Sequence, residues 1–429
     1  MITPYFHRFA TVVKALRFGG KAKISPARYS RALLLQSPAG LNERAFGPIM
    51  SRKYSMRVRE VVSKKDLREF IALPKTLYGE DPNWSPPLWA DEKGAYSPRK
   101  NAILAHSDFT LLLAENKASV LGRSLVYVDR NFNSFTGART GFFGAFECVN
   151  DLGVAAALDD AAVGWLQKRG MQTIRGPIHP ISESWGFLFD GYQTPAVFMA
   201  PYNPPQYNDF MLKLGYSKVK DLIAYEANQD HGYTIPKRFW DFEARLLARN
   251  PGLSVRRISM KDLSRDADFI MEISNIALRD NWGYVPLERD EFQEMFRRLR
   301  PIADPDAVWF VEDAGRPVAF VLGFPDLNIV LRKVSGHLLP LGFLRLLLEV
   351  KRLPDYRLFG LAVLPEYQGK GLDVLLYLQI CRALAPKIRR LEANYILEDN
   401  FRIRNALEKL ALQKVKTYRI YQKEIMPSR

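Results

Sequence analysis

Leu358-Phe-Gly-Leu-Ala-Val-Leu-Pro-Glu-Tyr-Gln-Gly-Lys-Gly-Leu-Asp-Val-Leu-Leu376 is the stretch that decides the architecture. Phe359 to Leu364 is an apolar run of strand length. Pro365 marks its exit, a loop with glycines at 369 and 371 follows, and a helix starts after Gly371. Glycine lets the backbone approach a ligand closely, and the first amides of a helix point outward together. Such a loop cradles a phosphate or pyrophosphate with backbone groups alone, and Lys370 adds one mobile positive charge. An ordinary strand-to-helix turn uses the same residue types, so the loop by itself leaves both readings open.

Outward from this stretch, the chain reads as a repeat. Val58-Arg-Glu-Val-Val-Ser-Lys-Lys-Asp-Leu67 parallels Val255-Arg-Arg-Ile-Ser-Met-Lys-Asp-Leu263, each a strand and then a helix start. Phe109 to Val128 alternates through two strands with a break at Asn116-Lys117, and Val308 to Gly323 does the same with a turn at Asp313-Ala-Gly315. Gly141 to Phe146, a helix and Met171 to Ile174 mirror Leu358 to Val363, a helix and Leu391 to Leu397. The first of these helices carries Val154, Leu158, Ala161, Ala162, Trp165 and Leu166 on one face. In the second, Leu372, Leu375, Leu376 and Leu378 to Ile380 point inward until Pro386 stops it. Each half reads strand, helices, hairpin, strand, helix, strand, which predicts an α/β fold with a mixed sheet flanked by helices.

That order, together with Val363-Leu-Pro-Glu-Tyr-Gln-Gly-Lys-Gly371, resembles the GNAT acyltransferase superfamily and its acyl-CoA-binding pattern Q/R-x-x-G-x-G/A. Gln368 and Gly371 fill the first and fourth positions, and Asp373 stands at the sixth, where Gly or Ala is usual. The resemblance covers residues 57–425 as two tandem GNAT-like domains, with expected bounds of 57–235 and 236–429. It implies acyl-CoA as co-substrate, held by Leu361, Val363, Gln368, Gly369, Lys370 and Gly371. The strand around Leu361 to Val363 would pair with the pantetheine amides, and its backbone would polarise the thioester carbonyl. The first half has Phe146-Glu-Cys-Val-Asn-Asp-Leu-Gly153 in place of the glycine loop, so CoA is expected in the second half only. A Gly371→Glu change is expected to abolish CoA binding and to spare thermal stability.

Composition narrows the alternatives. A chain of 429 residues suggests two or three domains, and 47% hydrophobic with 12% aromatic residues supports substantial cores. Two cysteines, Cys148 and Cys381, lack CxxC spacing and point to a reducing compartment, and five scattered histidines suggest no metal site. Residues 1–56 carry ten Lys/Arg and one acid, so only +7 of the net +16 belongs to residues 57–429. No nucleic-acid-binding motif accompanies that charge, and no nucleic-acid partner is expected. The tail suits a transit peptide, a start at Met50 or Met56, or a basic membrane-surface arm.

N-acylation requires a deprotonated amine, a polarised thioester carbonyl and a stabilised leaving thiolate. Asn400-Phe-Arg-Ile-Arg-Asn-Ala-Leu-Glu-Lys-Leu-Ala-Leu412 resembles the family helix that supplies a leaving-group Tyr, but Leu407 stands at the Tyr position. Expected catalytic residues are His179 and Glu183 in the loop 176–186, and Asp326 and Asn328 after the strand Val318 to Leu322. Loop hydrogen bonds for the first pair and turn formation for the second are the plainer readings. Substrate contacts are expected from Asn203, Tyr207, Asn281 and Trp282. Glu392, Glu398 and Asp399 read as solvated strand ends or as amine ligands, and Tyr395, Tyr418 and Tyr421 as strand packing.

An apolar insertion, Leu327 to Leu353, separates the second hairpin from the glycine-loop strand. Arg332, Lys333, Arg345, Lys351 and Arg352 bracket it. It is too short and too charged to span a bilayer. It suits a buried helix, or a basic-flanked helix on anionic lipid or over a long acyl chain. Together these segments resemble a bacterial double-GNAT subgroup that includes ceramide synthase-like N-acyltransferases. The expected activity is long-chain acyl transfer to a hydrophobic, sphingoid-type amine, on a cytoplasmic protein peripheral to the inner membrane. A small-molecule N-acetyltransferase and a non-catalytic CoA- or lipid-binding protein stand as alternatives.

Overall fold

The computed structural model describes residues 56–180, 184–300, 302–338 and 342–425. The basic tail up to residue 55 and Glu183 lie outside them. The first half runs β1 (Arg57–Glu60), α1 (Lys64–Tyr78), β2 (Ser107–Glu115), β3 (Val120–Asp129), β4 (Thr140–Cys148), α2 (Leu152–Gln167), β5 (Thr173–Gly176), β6 (Phe187–Asp190), α3 (Gln206–Lys213) and β7 (Ser217–Asn228). The second runs α4 (Lys237–Arg249), β8 (Leu253–Arg257), α5 (Leu263–Ala277), α6 (Arg289–Leu299), β9 (Val308–Asp313) and β10 (Arg316–Pro325). It continues through α7 (Asn328–Lys333), α8 (Gly342–Glu349), β11 (Asp355–Val363), α9 (Leu372–Leu384), β12 (Arg390–Leu397), α10 (Phe401–Lys409) and β13 (Gln413–Glu424). The repeat and the mixed α/β architecture expected from the sequence are both present.

Local chemistry places these elements. Ser63 caps α1 by accepting from the Asp66 amide while Asp66 bonds back to the Ser63 amide, a reciprocal capping box. On α2, Val154, Leu158, Ala162, Trp165 and Leu166 are buried, and they pack with β2 to β5 residues in one core. α9 buries residues all round, Leu372, Leu375, Leu376, Leu378, Ile380 and Leu384 among them, because neighbours cover it on several sides. The insertion folds as α7 and α8 with a small core of its own, Leu327, Val330, Leu331, Leu346, Val350 and Leu353.

All the strands join one 13-stranded sheet in the order β1-β2-β3-β4-β5-β13-β7-β12-β11-β10-β9-β8, with β6 also on β13. The last strands of the two halves are exchanged. β13, from the second half, pairs with β5 and β7, while β7, from the first half, pairs with β12. Each half holds one parallel pair, and each pair is short. β4 and β5 run together from Thr140↔Thr173 to Phe142↔Arg175, and β11 and β12 from Asp355↔Arg390 to Leu358↔Ala393. Beyond Leu358 and Ala393 the second pair parts, aided by a bulge between Ala393 and Ile396 on β12, whereas the chain after β5 stays on β4 as far as Ile178, which donates to the Phe143 carbonyl at 2.8 Å. The result is a V-shaped opening in the second half.

Candidate active site

The glycine loop lies at the end of β11. Pro365 to Tyr367 makes one 3-10 turn, and Gly371 caps α9 at φ +83° with no side chain bonded to the helix start. A Cβ on Gly371 would stand 2.3 Å from the Phe242 ring of α4, so both conformation and packing demand glycine. Gly369, at φ +77°, has open space where its Cβ would be. The first amides of α9 have no intrahelical acceptor, and with this open approach they suit a pyrophosphate. Gln368 donates to the Val363 carbonyl at 3.1 Å and accepts from Arg402 of α10 at 2.9 Å. Arg402 therefore reaches the glycine loop, where the Lys370 ammonium lies 4.8 Å from the Tyr367 ring. The sequence pattern gave no sign of Arg402, because it comes from a separate helix.

Leu361 and Val363 pair with Val321 and Ala319 of β10 on one side. On the other side the ladder to β12 stops at Leu358, which leaves the β11 edge from Phe359 to Val363 facing the V. At the apex sits Arg357, fully buried. Its Nε donates to Asn394 Oδ1 at 2.6 Å and its Nη1 to the Phe198 carbonyl at 2.8 Å. Asn394 donates to Glu392 Oε1 at 2.8 Å, and Glu392 also receives Arg390 and, at 3.2 Å, Lys416. Glu392 and Lys416 are both fully buried, so the expectation of a solvated strand end fails for Glu392. Its charge is matched by two cations, as a buried carboxylate requires. Glu398 and Asp399 do lie toward solvent, paired with Lys218 and Lys220. Leu407 is buried in the core, so α10 offers no phenol. Tyr395 and Tyr418 meet edge to face at 5.2 Å, and the buried Tyr418 hydroxyl has no hydrogen-bond partner.

Asp326 and Asn328 are buried at the end of β10. Asp326 Oδ1 accepts from the Phe198 amide at 2.8 Å and the Asn328 amide at 3.0 Å, and Asn328 Nδ2 donates to the Ala196 carbonyl at 2.9 Å. Burial pushes the Asp326 carboxyl up to about 6, with those amides opposing the shift. Asp326 lines a cavity of about 590 Å³ together with Ile329, Arg332 and Leu353 of the insertion and with Glu226 and Arg390.

A second cavity, about 210 Å³, lies in the first half, beside the end of β4 and the loop that follows β5. Glu92, Tyr96, Arg123, Glu147, His179 and Asn203 line it, with Asn328 from the second half. Tyr78 donates to Glu147 and also meets the Tyr207 hydroxyl at 2.9 Å, and Arg123 stands 3.8 Å from Glu147. Burial pushes Glu147 up to about 7 against the pull of Arg123. It also drives His179 down to about 3, with Arg123 adding to the shift, so the imidazole is neutral. His179 Nε2 is 3.3 Å from the Tyr96 hydroxyl and its Nδ1 has no partner. Glu147 and Arg123 escape the sequence reading because each sits in an otherwise apolar strand.

The remaining expected contacts have structural partners. Asn203 bonds the Leu188 amide at 2.6 Å, and Tyr207 bridges the Cys148 amide and carbonyl at 2.6 and 2.7 Å. Asn281 turns its loop by bonding the Leu278 carbonyl through its amide. Trp282 joins Tyr395 and Trp185 in an apolar cluster, with Arg175 5.1 Å from its ring. The structure thus gathers His179, Asn203 and Asn328 around one cavity, Asp326 around the other, and Trp282 near the V. Among the described residues, no group of three His, Cys, Asp or Glu could hold a metal ion.

Comparison with known proteins bears on the family and the fold. Residues 269–411 match the acetyltransferase (GNAT) family. Protein YghO of Escherichia coli (strain K12) is 31% identical over 382 residues, 87% of this chain and 96% of that protein. A protein of Caulobacter vibrioides (strain NA1000 / CB15N) named bacterial ceramide synthase is 30% identical over 389 residues, 88% of this chain and 100% of that protein. A tandem GNAT protein from the clavulanic acid biosynthesis pathway superposes with a TM-score of 0.53 at 14% identity, covering 87% of this chain and 100% of that one.

Proposed function

Because this chain belongs to the GNAT acyltransferase superfamily, in tandem form, we propose that it transfers a long acyl chain from CoA to the amine of a sphingoid-type base. The observation that carries the substrate class is the similarity, over nearly the whole of both chains, to the Caulobacter protein named ceramide synthase. The larger cavity agrees with it. One wall comes from the insertion, through Ile329, Arg332, Lys333, Glu349, Arg352 and Leu353. Of the five carboxylates that line it, Glu226, Asp230, Asp355 and Glu349 are paired with Arg390, Arg389 and Lys333, which leaves Asp326 as the one outside an ion pair and able to meet an amine.

In this reading the uncapped start of α9, Gly369, Lys370 and Gln368 hold the pyrophosphate, and the open edge around Leu361 and Val363 holds the pantetheine amides. Asp326 takes the amine proton, since a carboxyl near 6 is ionised at neutral pH and still basic enough to accept it. Asn328 fixes the Ala196 to Phe198 segment beside it. His179 contacts acceptor hydroxyls from the first-half cavity, while Asn203 and Tyr207 brace that cavity and Asn281 and Trp282 cover the V. α8 exposes Leu344 (49%) and Leu348 (64%) beside Arg345, Lys351 and Arg352, a surface suited to anionic lipid. Among the described residues no helix is long and apolar enough to cross a membrane, so the proposed contact is peripheral.

Thiol release from palmitoyl-CoA and from acetyl-CoA, each with and without sphinganine, tests the reading. Amine-dependent release from palmitoyl-CoA alone is expected. Release from acetyl-CoA alone would move the protein to small-molecule acetylation, and CoA binding without release to a binding role.

A further inference from the structure

We propose that Arg357 is a catalytic residue whose Nη2 amino group donates to the thioester oxygen as it becomes an oxyanion. The family pattern gives that task to the strand backbone; here the side chain of the strand adds a charged donor at the same point.

The case rests on three observations. First, position: β11 and β12 part after Leu358 and Ala393, and the guanidinium lies 5.1 Å from the Phe359 ring and 5.1 Å from the Tyr395 ring, one from each strand. It therefore fills the apex of the V. A pantetheine arm running from the start of α9 follows the edge from Val363 to Phe359 for roughly 13 Å and ends there. Second, rigidity: Nε and Nη1 are already committed to Asn394 and the Phe198 carbonyl, so the guanidinium plane is fixed before substrate arrives. Third, vacancy of function: Nη2 is buried and has no hydrogen-bond partner. A buried donor left unsatisfied costs stability, and such a group in a folded protein calls for an explanation. A fixed donor aimed at developing charge in a water-poor site is the arrangement that accelerates acyl transfer.

The chemistry balances without any further reactant. The deprotonated amine nitrogen forms a bond to the thioester carbon, and the carbonyl π pair moves onto oxygen, where Nη2–H bonds it. The pair returns, the C–S bond breaks, and CoA leaves as thiolate. The proton lost by nitrogen ends on that sulfur, through Asp326 or solvent.

The test uses the full chain with Arg357→Lys, which keeps the charge and loses the fork, and Arg357→Gln. With palmitoyl-CoA and sphinganine, kcat should fall on the order of 100-fold or more in both, while the KM for palmitoyl-CoA stays within about three-fold. A kcat within a few-fold of wild type would overturn the assignment. A second measurement needs no turnover: the infrared carbonyl band of bound acetyl-CoA and palmitoyl-CoA labelled with carbon-13 at the thioester carbon. Wild type should shift that band to lower frequency and Arg357→Gln should not, with thermal melting and CoA affinity as controls on folding. Equal bands in the two proteins, or binding of neither thioester to wild type, would overturn it. If sphinganine is not the acceptor, only the substrate proposal fails and the infrared comparison still decides the role of Arg357.

Discussion

Asp326 and Arg357 grip one residue from both ends. The Asp326 carboxylate accepts from the Phe198 amide, and the Arg357 guanidinium donates to the Phe198 carbonyl. A carboxylate just past the end of β10 and a guanidinium on β11 are thereby held on either side of one backbone residue without forming an ion pair with each other. Phe198 comes from the first half, so that half orients the two groups we assign to the reaction although the glycine loop lies wholly in the second.

Asp326→Asn keeps an acceptor for the Phe198 amide and removes the base. The kcat/KM of the wild type should rise with pH through about 6 and level off above it, because the carboxyl must be ionised to take a proton. In Asp326→Asn that limb should vanish and the rate fall by about 10²–10⁴. A pH–rate profile of both proteins checks this, and an unchanged limb would remove Asp326 from the role.

The two loop glycines should separate binding from folding. Gly369→Ala meets open space and carries only the strain of its positive φ, about 1 kcal/mol. It should lower CoA affinity at least ten-fold with a small loss in Tm. Gly371→Glu, expected from the sequence to spare stability, instead collides with Phe242 and should lose both. Calorimetric CoA titration beside thermal melting distinguishes the two.

Glu147 ties stability to pH. Its ordinary value is 4.5 and burial raises it to about 7, so the folded state holds the proton more tightly than the unfolded chain. That contribution is complete below about 4.5 and is lost as pH rises through about 7, on the order of 3 kcal/mol across the interval. Denaturant titrations of wild type and Glu147→Gln at pH 5 and pH 8 should show wild type losing more stability on going up in pH. Parallel losses would refute the assignment.

Glu392→Ala should cost about 3–5 kcal/mol, because it leaves the fully buried Lys416 without a carboxylate, while Arg390 keeps Glu226. The sheet is shared, so the loss should appear in one transition reporting on both halves, read by tryptophan fluorescence and circular dichroism together.

Leu344→Glu with Leu348→Glu alters only exposed side chains. Flotation with anionic liposomes should fall several-fold and Tm stay within about 1 °C. Flotation equal to wild type would leave α8 without a membrane role.

Much of the fold was legible from local pattern. The alternation in Phe109 to Val128, the apolar face from Val154 to Leu166, and the turn at Asp313-Ala-Gly315 are short-range signals, and they match the strands and helices found. The partnering of β7 and β13 was not legible, since both strands are long and alternating and nothing local says which neighbour each takes. At the site, the glycine loop could be read because it is contiguous. Arg357, Glu392 and Lys416 could not, because each lies in a different strand and their mutual compensation exists only once the sheet is assembled. Glu392 is the clearest example: two residues from Arg390 in the sequence it looks solvated, and its burial is explained once Lys416, from β13, joins Arg390 and Asn394 around it.

The strand exchange bears on how the chain comes off the ribosome. Arg175 and Gln422 bond across 247 residues of sequence, so the β5 edge waits until that much more chain has been made. Until then the nascent first half presents an unpaired strand edge of the kind that invites misassociation. Synthesis and folding are thus coupled late, and a chain truncated before Gln413 would leave two unfinished sheets rather than one finished domain and one missing.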